Sequence, residues 1–393
     1  MDVLSAEVLA MVASYLSAID LGAFRLTGQR YRAAGDDFIP RHGIVIPCVC
    51  GISKALNGEL APRVSIVARV QKVTFVLGKW PTFQAQSSWE YYVSARFPRG
   101  QNPLRGLSPE HIRNMYNNAT TFLAAQRHDV VVRCLKFALQ LFRNLVTLKF
   151  SYKGWDQHPR LRKIYETTLI MPEDDFDTLT SALVPALSQE YSSKLYNLIL
   201  EQGTPFSVRQ PRASHALLGI QKLHLSFSQN HKYYCLGTHS GTAKSSVLLE
   251  NFPSLRELFI VSFITIPQVW GMRVPQGPVE LGLLVEGLTW GGLESLYLSG
   301  IKCSEDELIR LIDRHESLIS VGLGTVTLYS GTWNSFFMRL IHLVGKNVNI
   351  SQLLLDGSLA SMDDSRDDYS QQLRSLSDLV KVEESAERKA GTN

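Results

Sequence analysis

Carboxylates that could hold a divalent cation are most concentrated just after Pro172. Ca²⁺ and Mg²⁺ prefer oxygen ligands of this kind. However, Pro172 also predicts the first turn of a helix, where acidic side chains are stabilised by the helix dipole without any metal. We therefore predict a helix start rather than a metal site for the four acids Glu173, Asp174, Asp175 and Asp177.

Other patterns suggest nucleotide or metal sites without meeting their requirements. Residues 237–246 read GTHSGTAKSS, but two residues separate Gly241 from Lys244, so the Gly-Lys-Ser/Thr of a phosphate-binding loop is absent. Cys48 and Cys50 lack a second Cys or His pair at zinc spacing. With no nucleophile elbow and no coherent acid–base set, a hydrolase is disfavoured, and we predict no metal, cofactor or catalytic residue. No ligand template fits the histidines around Cys235, which are His224, His231 and His239.

The composition indicates a well-packed protein with little net charge. Of the 393 residues, 45% are hydrophobic and 19% are charged, with a net charge of +4. This balance argues against global disorder, and the scattered basic residues do not indicate a nucleic-acid partner. The five cysteines are odd in number and mostly far apart, which does not indicate a disulfide framework. Residues 1–30 do not resemble a signal peptide, and apolar stretches such as 258–266 are too short to span a bilayer. We expect a cytoplasmic or nuclear protein that binds neither nucleic acid nor membrane.

Apolar residues at helical spacing near the N-terminus predict one helix and then a second short segment, which Asp20 caps. Helices of this size cannot bury a sufficient core alone, so they must pack on the rest of the chain or on a partner. The residues are Val8, Leu9, Val12 and Leu16 in the first segment, and Leu21, Phe24 and Leu26 in the second.

Residues 4–32 closely resemble the F-box motif. Its usual pattern is Leu-Pro-x-Glu, an Ile/Leu-x-Tyr-Leu helix, an Asp-Leu step, and an Arg-Leu-Val run before a basic–aromatic–basic triplet. Ser5 replaces the usual Pro, although Ser is itself a good N-cap, and Thr27 puts a hydroxyl at a position that normally packs. The alternative is a generic helical hairpin. The matched residues are Leu4, Glu7, Leu9, Val12, Tyr15, Leu16, Asp20, Leu21, Arg25, Leu26, Arg30, Tyr31 and Arg32.

The resemblance implies that the F-box helices bind the adaptor of an SCF-type cullin–RING ubiquitin ligase, and through it the cullin, while the rest of the chain holds a protein substrate. The layout of the chain resembles that of filamentous-fungal F-box proteins. The alternative is a non-catalytic scaffold whose vestigial F-box binds no ligase. The residues that the resemblance assigns to the adaptor are Leu4, Glu7, Val8, Leu9, Val12, Leu16, Leu21 and Leu26.

An apolar template, Leu-x-x-Leu-x-Leu, recurs eight times after the N-terminal helices, which is a repeat signal. The spacings are irregular, and the unit starting at Leu293 is the most readable. Its strand is followed by a capping box, Ser304 with Glu307, and by a helix that ends near His315. The alternative is a βα-rich domain with independently Leu-rich strands. The templates are 70–75, 145–150, 195–200, 220–225, 255–260, 293–298, 318–323 and 350–355.

These signals together predict an α/β chain in which F-box helices precede an irregular leucine-rich-repeat-like solenoid. Further helices are predicted from Pro109, with Ser108 as its N-cap, and at 131–143. Trp80, Trp89, Tyr91 and Tyr92 form an aromatic cluster that is either core or a recognition surface. The predicted domains are the F-box (1–40), a turn-rich connector (41–63) with a strand at 44–46, the repeat-like domain (64–360) and a polar tail (361–393), disordered apart from a weak amphipathic helix around 370–384.

The template also predicts a substrate surface. Its leucines point inward, so the intervening residues point outward, and solenoids usually bind partners on the strand face or on the loops after the strands. Phe259 and Tyr297 are then exposed aromatic residues on adjacent strands, the residue type enriched at binding hot spots. The alternative is that a neighbouring loop covers both rings and makes them core.

Overall fold

A computed structural model describes the chain in seventeen segments. The acid cluster after Pro172, the 237–246 segment, Leu4, Cys50 and nearly all of the polar tail lie outside them. The described residues are 5–16, 18–36, 38, 43–49, 67–76, 80–95, 101–126, 130–151, 159–171, 195–203, 219–228, 249–250, 252–263, 279–285, 287–344, 348–355 and 359–361.

The protein is a mixed α/β fold with a large parallel sheet of nine strands. The chain divides into two compact units, Met1–Leu195 and Tyr196–Asn393. None of the helices in the described segments combines the length and apolarity that a membrane crossing requires.

The first unit begins with three short helices and contributes three parallel strands, which neighbour one another in chain order. Its elements are α1 (Ala6–Tyr15), α2 (Ala18–Leu26), α3 (Gln29–Asp36), β1 (Ile44–Pro47), β2 (Lys72–Val76), α4 (Gln86–Ala95), α5 (Pro109–Ala125), α6 (Val130–Leu141), β3 (Thr147–Ser151) and α7 (Pro159–Thr168).

The second unit contains two parallel sheets. The main-sheet strands lie in the order β4-β5-β6-β8-β10-β12, and the second sheet has the order β7-β9-β11-β13. The elements are β4 (Asn197–Gly203), β5 (Lys222–Ser228), β6 (Glu257–Phe263), β7 (Val279–Glu280), α8 (Leu281–Val285), β8 (Ser295–Ser299), β9 (Ile301–Ser304), α9 (Glu305–Asp313), β10 (Ser320–Leu323), β11 (Val326–Ser330), α10 (Trp333–Val344), β12 (Gln352–Leu355) and β13 (Leu359–Ser361).

The apolar template builds the core of the main sheet. Each predicted template coincides with a strand, and the predicted strand at 44–46 is β1. All template residues are buried except Leu355, which is partly exposed. Because side chains alternate across a strand, the two last template leucines share one face, and in register they form continuous apolar rows. One such row joins Leu223, Leu258 and Leu296.

The second sheet was not predicted from the sequence. Its strands β9 and β11 directly follow the main-sheet strands β8 and β10 along the chain. Between β8 and β9 the chain changes direction sharply at Gly300, which has a φ of +68°. A side chain at Gly300 would also lie against the backbone carbonyl of Ser262. Ile301 is buried at the start of β9.

Local capping signals are confirmed at three helices. Ser108 caps α5, with the His111 N–H donating to its hydroxyl, and Pro109 occupies the first turn. Ser304 and Glu307 form the predicted capping box of α9. Ser5 caps α1. The predicted cap at Asp20 is wrong: α2 already begins at Ala18, so the Asp20 carboxylate lies in the first turn and acts on the helix dipole instead.

Candidate protein-binding surfaces

Three short helices at the N-terminus pack against one another. The Ser5 hydroxyl accepts a hydrogen bond from the Val8 N–H (3.4 Å), which fixes the first turn of α1. Leu9 and Ala13 of α1 are buried, and so is Leu21 of α2. These helices therefore have a small interior of their own, and the apolar face predicted for α1 is split, because Leu9 points inward while Val8 and Val12 remain exposed.

An ion pair and an aromatic contact hold α2 to α3. The Arg25 guanidinium contacts the Asp36 carboxylate at 2.6 and 2.8 Å, and both side chains are partly buried. The rings of Phe24 and Tyr31 meet edge to face at 5.1 Å between centroids. Gly35 permits this packing, because a Cβ there would lie 2.5 Å from Cγ of Arg25. The geometry of α2 and α3 is thus fixed by specific side chains.

The outer side of α1 is an exposed apolar surface, which we call the N-terminal strip: Val8, Met11, Val12 and Tyr15. Spacings of three and four residues place all four on one side of the helix. Tyr15 is 86% exposed, and Leu26 at the end of α2 is 88% exposed. Large apolar side chains clustered in this way on a short helical unit indicate an interaction surface.

The residues predicted to contact an adaptor are distributed over the surface and the interior of these helices. Val8, Val12 and Leu26 are exposed, Leu16 is partly exposed, and Leu9 and Leu21 are buried. Glu7 is exposed, and the Ser5 hydroxyl, together with the Glu7 backbone, lowers the pKa of its carboxyl. Thr27, at the position where the motif has Val, is exposed, and its hydroxyl donates to the Phe24 carbonyl (2.7 Å). Leu4 lies outside the described residues.

Phe259 and Tyr297 lie directly opposite each other on neighbouring strands of the second unit. They are paired in register on β6 and β8, their centroids are 6.1 Å apart, and both are partly exposed. The same register continues to both sides along one outward row, which we call the aromatic row: Ile199, His224, Phe259, Tyr297, Gly322 and Leu354.

Phe259 contacts a ring and a cation that both belong to the neighbouring strand β5. The His224 ring stacks on it at 5.9 Å between centroids, and the Lys222 ammonium lies 5.0 Å from its centroid. Lys222 also forms an ion pair with Glu257, its register partner on β6. A charged pair therefore borders the aromatic row beside Phe259, so this part of the surface offers an apolar stripe next to polar groups.

Two glycines of the β10 region accommodate the Tyr297 ring. A Cβ at Gly322 would lie 2.3 Å from Cδ2 of Tyr297, and one at Gly324 would lie 3.0 Å from its hydroxyl. Gly322 was expected to point outward, but it is buried, because the ring lies over it. The sequence interpretation missed His224 as a member of the row, although it occupies the same template position as Phe259.

The predicted aromatic cluster is mainly interior to the first unit. Trp89 is fully buried, and its indole N–H donates to the Thr168 carbonyl (3.0 Å). The Tyr92 hydroxyl donates to the Met171 carbonyl (3.0 Å). Trp80 contacts the Phe122 ring edge to face. Tyr91, in contrast, is exposed.

Carboxylates in the second unit are engaged in structural hydrogen bonds. Glu305 is buried and accepts from the Ser335 hydroxyl and the Arg339 guanidinium, each at 2.8 Å. Glu307 accepts from the Ser304 N–H and from the Tyr329 hydroxyl. Within the described segments, no group of three or more His, Cys, Asp or Glu could hold a metal ion.

Comparison of the sequence with known protein families and with curated proteins found no match.

Proposed function

We propose that this chain is the substrate-recognition subunit of an SCF-type cullin–RING ubiquitin ligase. It binds the ligase adaptor through an F-box at residues 1–40 and a target protein through a leucine-rich-repeat-like solenoid. The chain itself does no covalent chemistry. It raises the effective concentration of the target near the ubiquitin-loading enzyme and orients it.

The exposed N-terminal strip is the observation that carries the proposal. It lies on the helices whose sequence matches the F-box pattern, and these helices keep their own interior, so the strip is free to contact another protein. Covering the exposed part of these four side chains favours docking, but Val8 and Val12 each contribute less than the roughly 1.5–3 kcal/mol of a fully exposed side chain, because only 38% and 39% of them is still exposed.

The arrangement of the second unit supports the solenoid. Its main-sheet strands are added in chain order, and the unit from β8 to α9 contains a main-sheet strand, a second-sheet strand and a helix. The unit from β10 to α10 repeats this order. Such stacking presents one continuous face of strands, and the aromatic row on that face is the proposed target site.

Adaptor binding is tested by replacing Val8 and Val12 together with Asp. Each change puts a charge into an apolar contact, which costs several kcal/mol, so the affinity for purified adaptor should fall more than about 100-fold in calorimetry. Leu9 is unsuitable for this test because it is buried, and a charge there would unfold the helix. Tyr91→Asp on α4 is the control, since it puts a negative charge on an exposed apolar helical position outside the F-box, and it should bind as wild type.

The ligase assignment would be contradicted if the Val8→Asp, Val12→Asp variant bound the adaptor at wild-type affinity while its circular dichroism spectrum was unchanged. Absence of adaptor binding by the wild-type chain itself would favour the alternative, a scaffold with a vestigial F-box.

The target site is tested by replacing Phe259 and Tyr297 with Ala. Proteins captured by the full chain from proteasome-inhibited cells should be lost, while adaptor binding stays intact. Tyr91→Ala removes an exposed aromatic ring elsewhere and should capture the same proteins as wild type. Unchanged capture by the double variant contradicts the assignment, and so does global unfolding, which would make both rings packing residues.

A further inference from the structure

The sheet of the first unit is built from segments that contain basic residues and no acidic ones. Residues 43–49, 67–76 and 130–151 carry six Lys or Arg side chains and neither Asp nor Glu. The whole chain, in contrast, has nearly balanced charges, with 40 basic and 36 acidic residues. Positive charge is therefore concentrated around β2, β3 and α6, and such a concentration attracts partners of opposite charge.

Two lysines and two threonines stand together on the outward face of β2 and β3. We call them the basic face: Lys72, Thr74, Thr147 and Lys149. All four are partly exposed, while the residues between them are buried. In register, Lys72 lies beside Thr147, and Thr74 lies beside Lys149. Neighbouring strands lie about 4.8 Å apart and alternate residues of one strand about 6.6 Å, so roughly 8 Å separates the Cα atoms of the two lysines.

The second unit neutralises the lysine at the equivalent position, and the first unit does not. Lys222 and Lys72 both occupy the third position of the apolar template. Lys222 forms an ion pair with Glu257, its register partner on the next strand. Lys72 has Thr147 at the corresponding place, and within the described segments it forms no ion pair. The charge of Lys72 is therefore available to a partner.

Further hydrogen-bond donors surround Lys72. The hydroxyls of Thr74 and Thr147 have no hydrogen-bond partner among the described residues. Gly43, just before β1, leaves room for the Lys72 side chain, since a Cβ there would lie 3.0 Å from Cγ of Lys72. Arg143 is exposed in the turn before β3 and has no ion pair in the described part of the chain. Ammonium, guanidinium and hydroxyl groups are donors that suit carboxylates.

The size and composition of the basic face favour an acidic peptide over a nucleic acid. Nucleic acids gain affinity from many phosphate contacts along a basic track, or from bases that stack on exposed rings. The two phenylalanines of β2 and β3, Phe75 and Phe150, are buried. An extended peptide, in contrast, places the side chains of alternate residues about 7 Å apart on one side, close to the spacing of the two lysines.

We propose that the basic face binds an acidic, extended segment of the target protein. Lys72 and Lys149 contact carboxylates at alternate positions of that segment, and the hydroxyls of Thr74 and Thr147 donate hydrogen bonds to them. The inference rests on the proposed function, because it names the chemistry of the target that the chain recruits. Targets should therefore carry Asp or Glu at alternate positions of an extended segment.

Fluorescence anisotropy of a labelled peptide of alternating Glu and Ser residues, titrated with the full chain, tests the site. The wild-type chain should bind the peptide at low ionic strength, and more weakly at physiological ionic strength, because salt screens exposed charges. The test variant, Lys72→Glu with Lys149→Glu, should bind the peptide at least about tenfold more weakly. The matched control, Arg113→Glu with Lys163→Glu, makes the same change of charge at exposed positions of α5 and α7 and should bind as wild type.

Variants of the hydroxyls separate a built site from simple charge attraction. Thr74→Val with Thr147→Val keeps the charge and nearly the shape of the face, and should weaken binding about threefold to tenfold. Wild-type affinity in either the lysine or the threonine variant, at an unchanged circular dichroism spectrum, would overturn the proposal. Equal binding of a peptide with Gln in place of Glu would also overturn it. So would tighter binding of a DNA duplex that the lysine variant abolishes, since the face would then belong to a nucleic acid.

The titration contains no adaptor, so its failure can be distinguished from failure of the proposed ligase function. A wild-type chain that binds the adaptor but not the acidic peptide overturns the basic face alone. A chain that binds the peptide through Lys72 and Lys149 but no adaptor overturns the ligase function and leaves the basic face as a site for acidic proteins.

Discussion

Replacing Gly322 with Ala should disturb the aromatic row without removing any of its side chains. The new Cβ would lie 2.3 Å from Cδ2 of Tyr297, far inside van der Waals contact. The strand backbone is fixed by hydrogen bonds to β8 and β12 on both sides, so the ring must move instead. Moving it would also disturb its contact with Phe259.

The expected magnitude is set by these two losses. Forcing the ring off its preferred rotamer costs about 0.5–1.5 kcal/mol, and losing an aromatic pair costs a similar amount. Reduced freedom of the unfolded chain offsets roughly 0.4–1 kcal/mol. The net destabilisation is then about 1–2 kcal/mol, which lowers the Tm of a unit of this size by about 2–8 °C.

A double-mutant cycle by calorimetry on the full chain is the decisive assay. In a Tyr297→Ala background the ring is gone, so Gly322→Ala should become neutral or slightly stabilising, with a coupling of about 2 kcal/mol. Gly291→Ala is the control, since nothing lies within 4 Å of a Cβ there, and it should leave the Tm unchanged or raise it slightly. An equal cost of Gly322→Ala in both backgrounds would refute the view that Tyr297 lies over this glycine.

Three further predictions concern packing and protonation. Gly35→Ala should separate Arg25 from Asp36 and accelerate hydrogen exchange of α2 and α3; unchanged exchange would mean that α3 does not depend on this close approach. Burial lowers the pKa of His315 from its ordinary 6.5, so the unfolded chain binds a proton at a higher pH than the folded chain does. The stability of the fold should therefore fall as the pH drops below about 6.5. His315→Gln should remove this dependence of stability on pH, and an identical dependence in both proteins argues against it. Burial raises the pKa of the Cys48 thiol, and it raises the pKa of Cys303 to about 12. Native protein at pH 8 should therefore resist thiol reagents at these sites, as measured by mass spectrometry of Cys48, Cys134 and Cys303. Rapid labelling of the native protein would contradict their burial.

Main-sheet strands could be predicted because their signal is local. Alternating apolar residues such as Leu296 and Leu298 indicate a strand whose one face is buried, and the same spacing eight times indicates stacking. The second sheet escaped prediction because its strands lie outside the Leu-x-x-Leu-x-Leu template, which made main-sheet strands of similar length recognisable. Gly300 was its one visible signal, and its positive φ is a property of the folded backbone.

The candidate surfaces could be predicted in part. Template alignment put Phe259 beside Tyr297, and it would have included His224 if applied to every unit. The spacing of residues does not encode the direction of the Tyr297 side chain, so it could not show that this ring covers Gly322. At the N-terminus, periodicity found the apolar residues of α1 but could not divide Leu9, which packs inside, from Val12, which is exposed. That division depends on where the other N-terminal helices pack.

Co-purification of adaptor and cullin with the full chain tests the central claim most directly. The intact chain and a form lacking residues 1–40 would be expressed at equal levels with the same affinity tag, and the adaptor and cullin in each eluate would be quantified by mass spectrometry. We predict near-stoichiometric adaptor and cullin with the intact chain and neither with the truncated form. Equal amounts with both forms, or no adaptor with the intact chain, would contradict the assignment of an F-box to this protein.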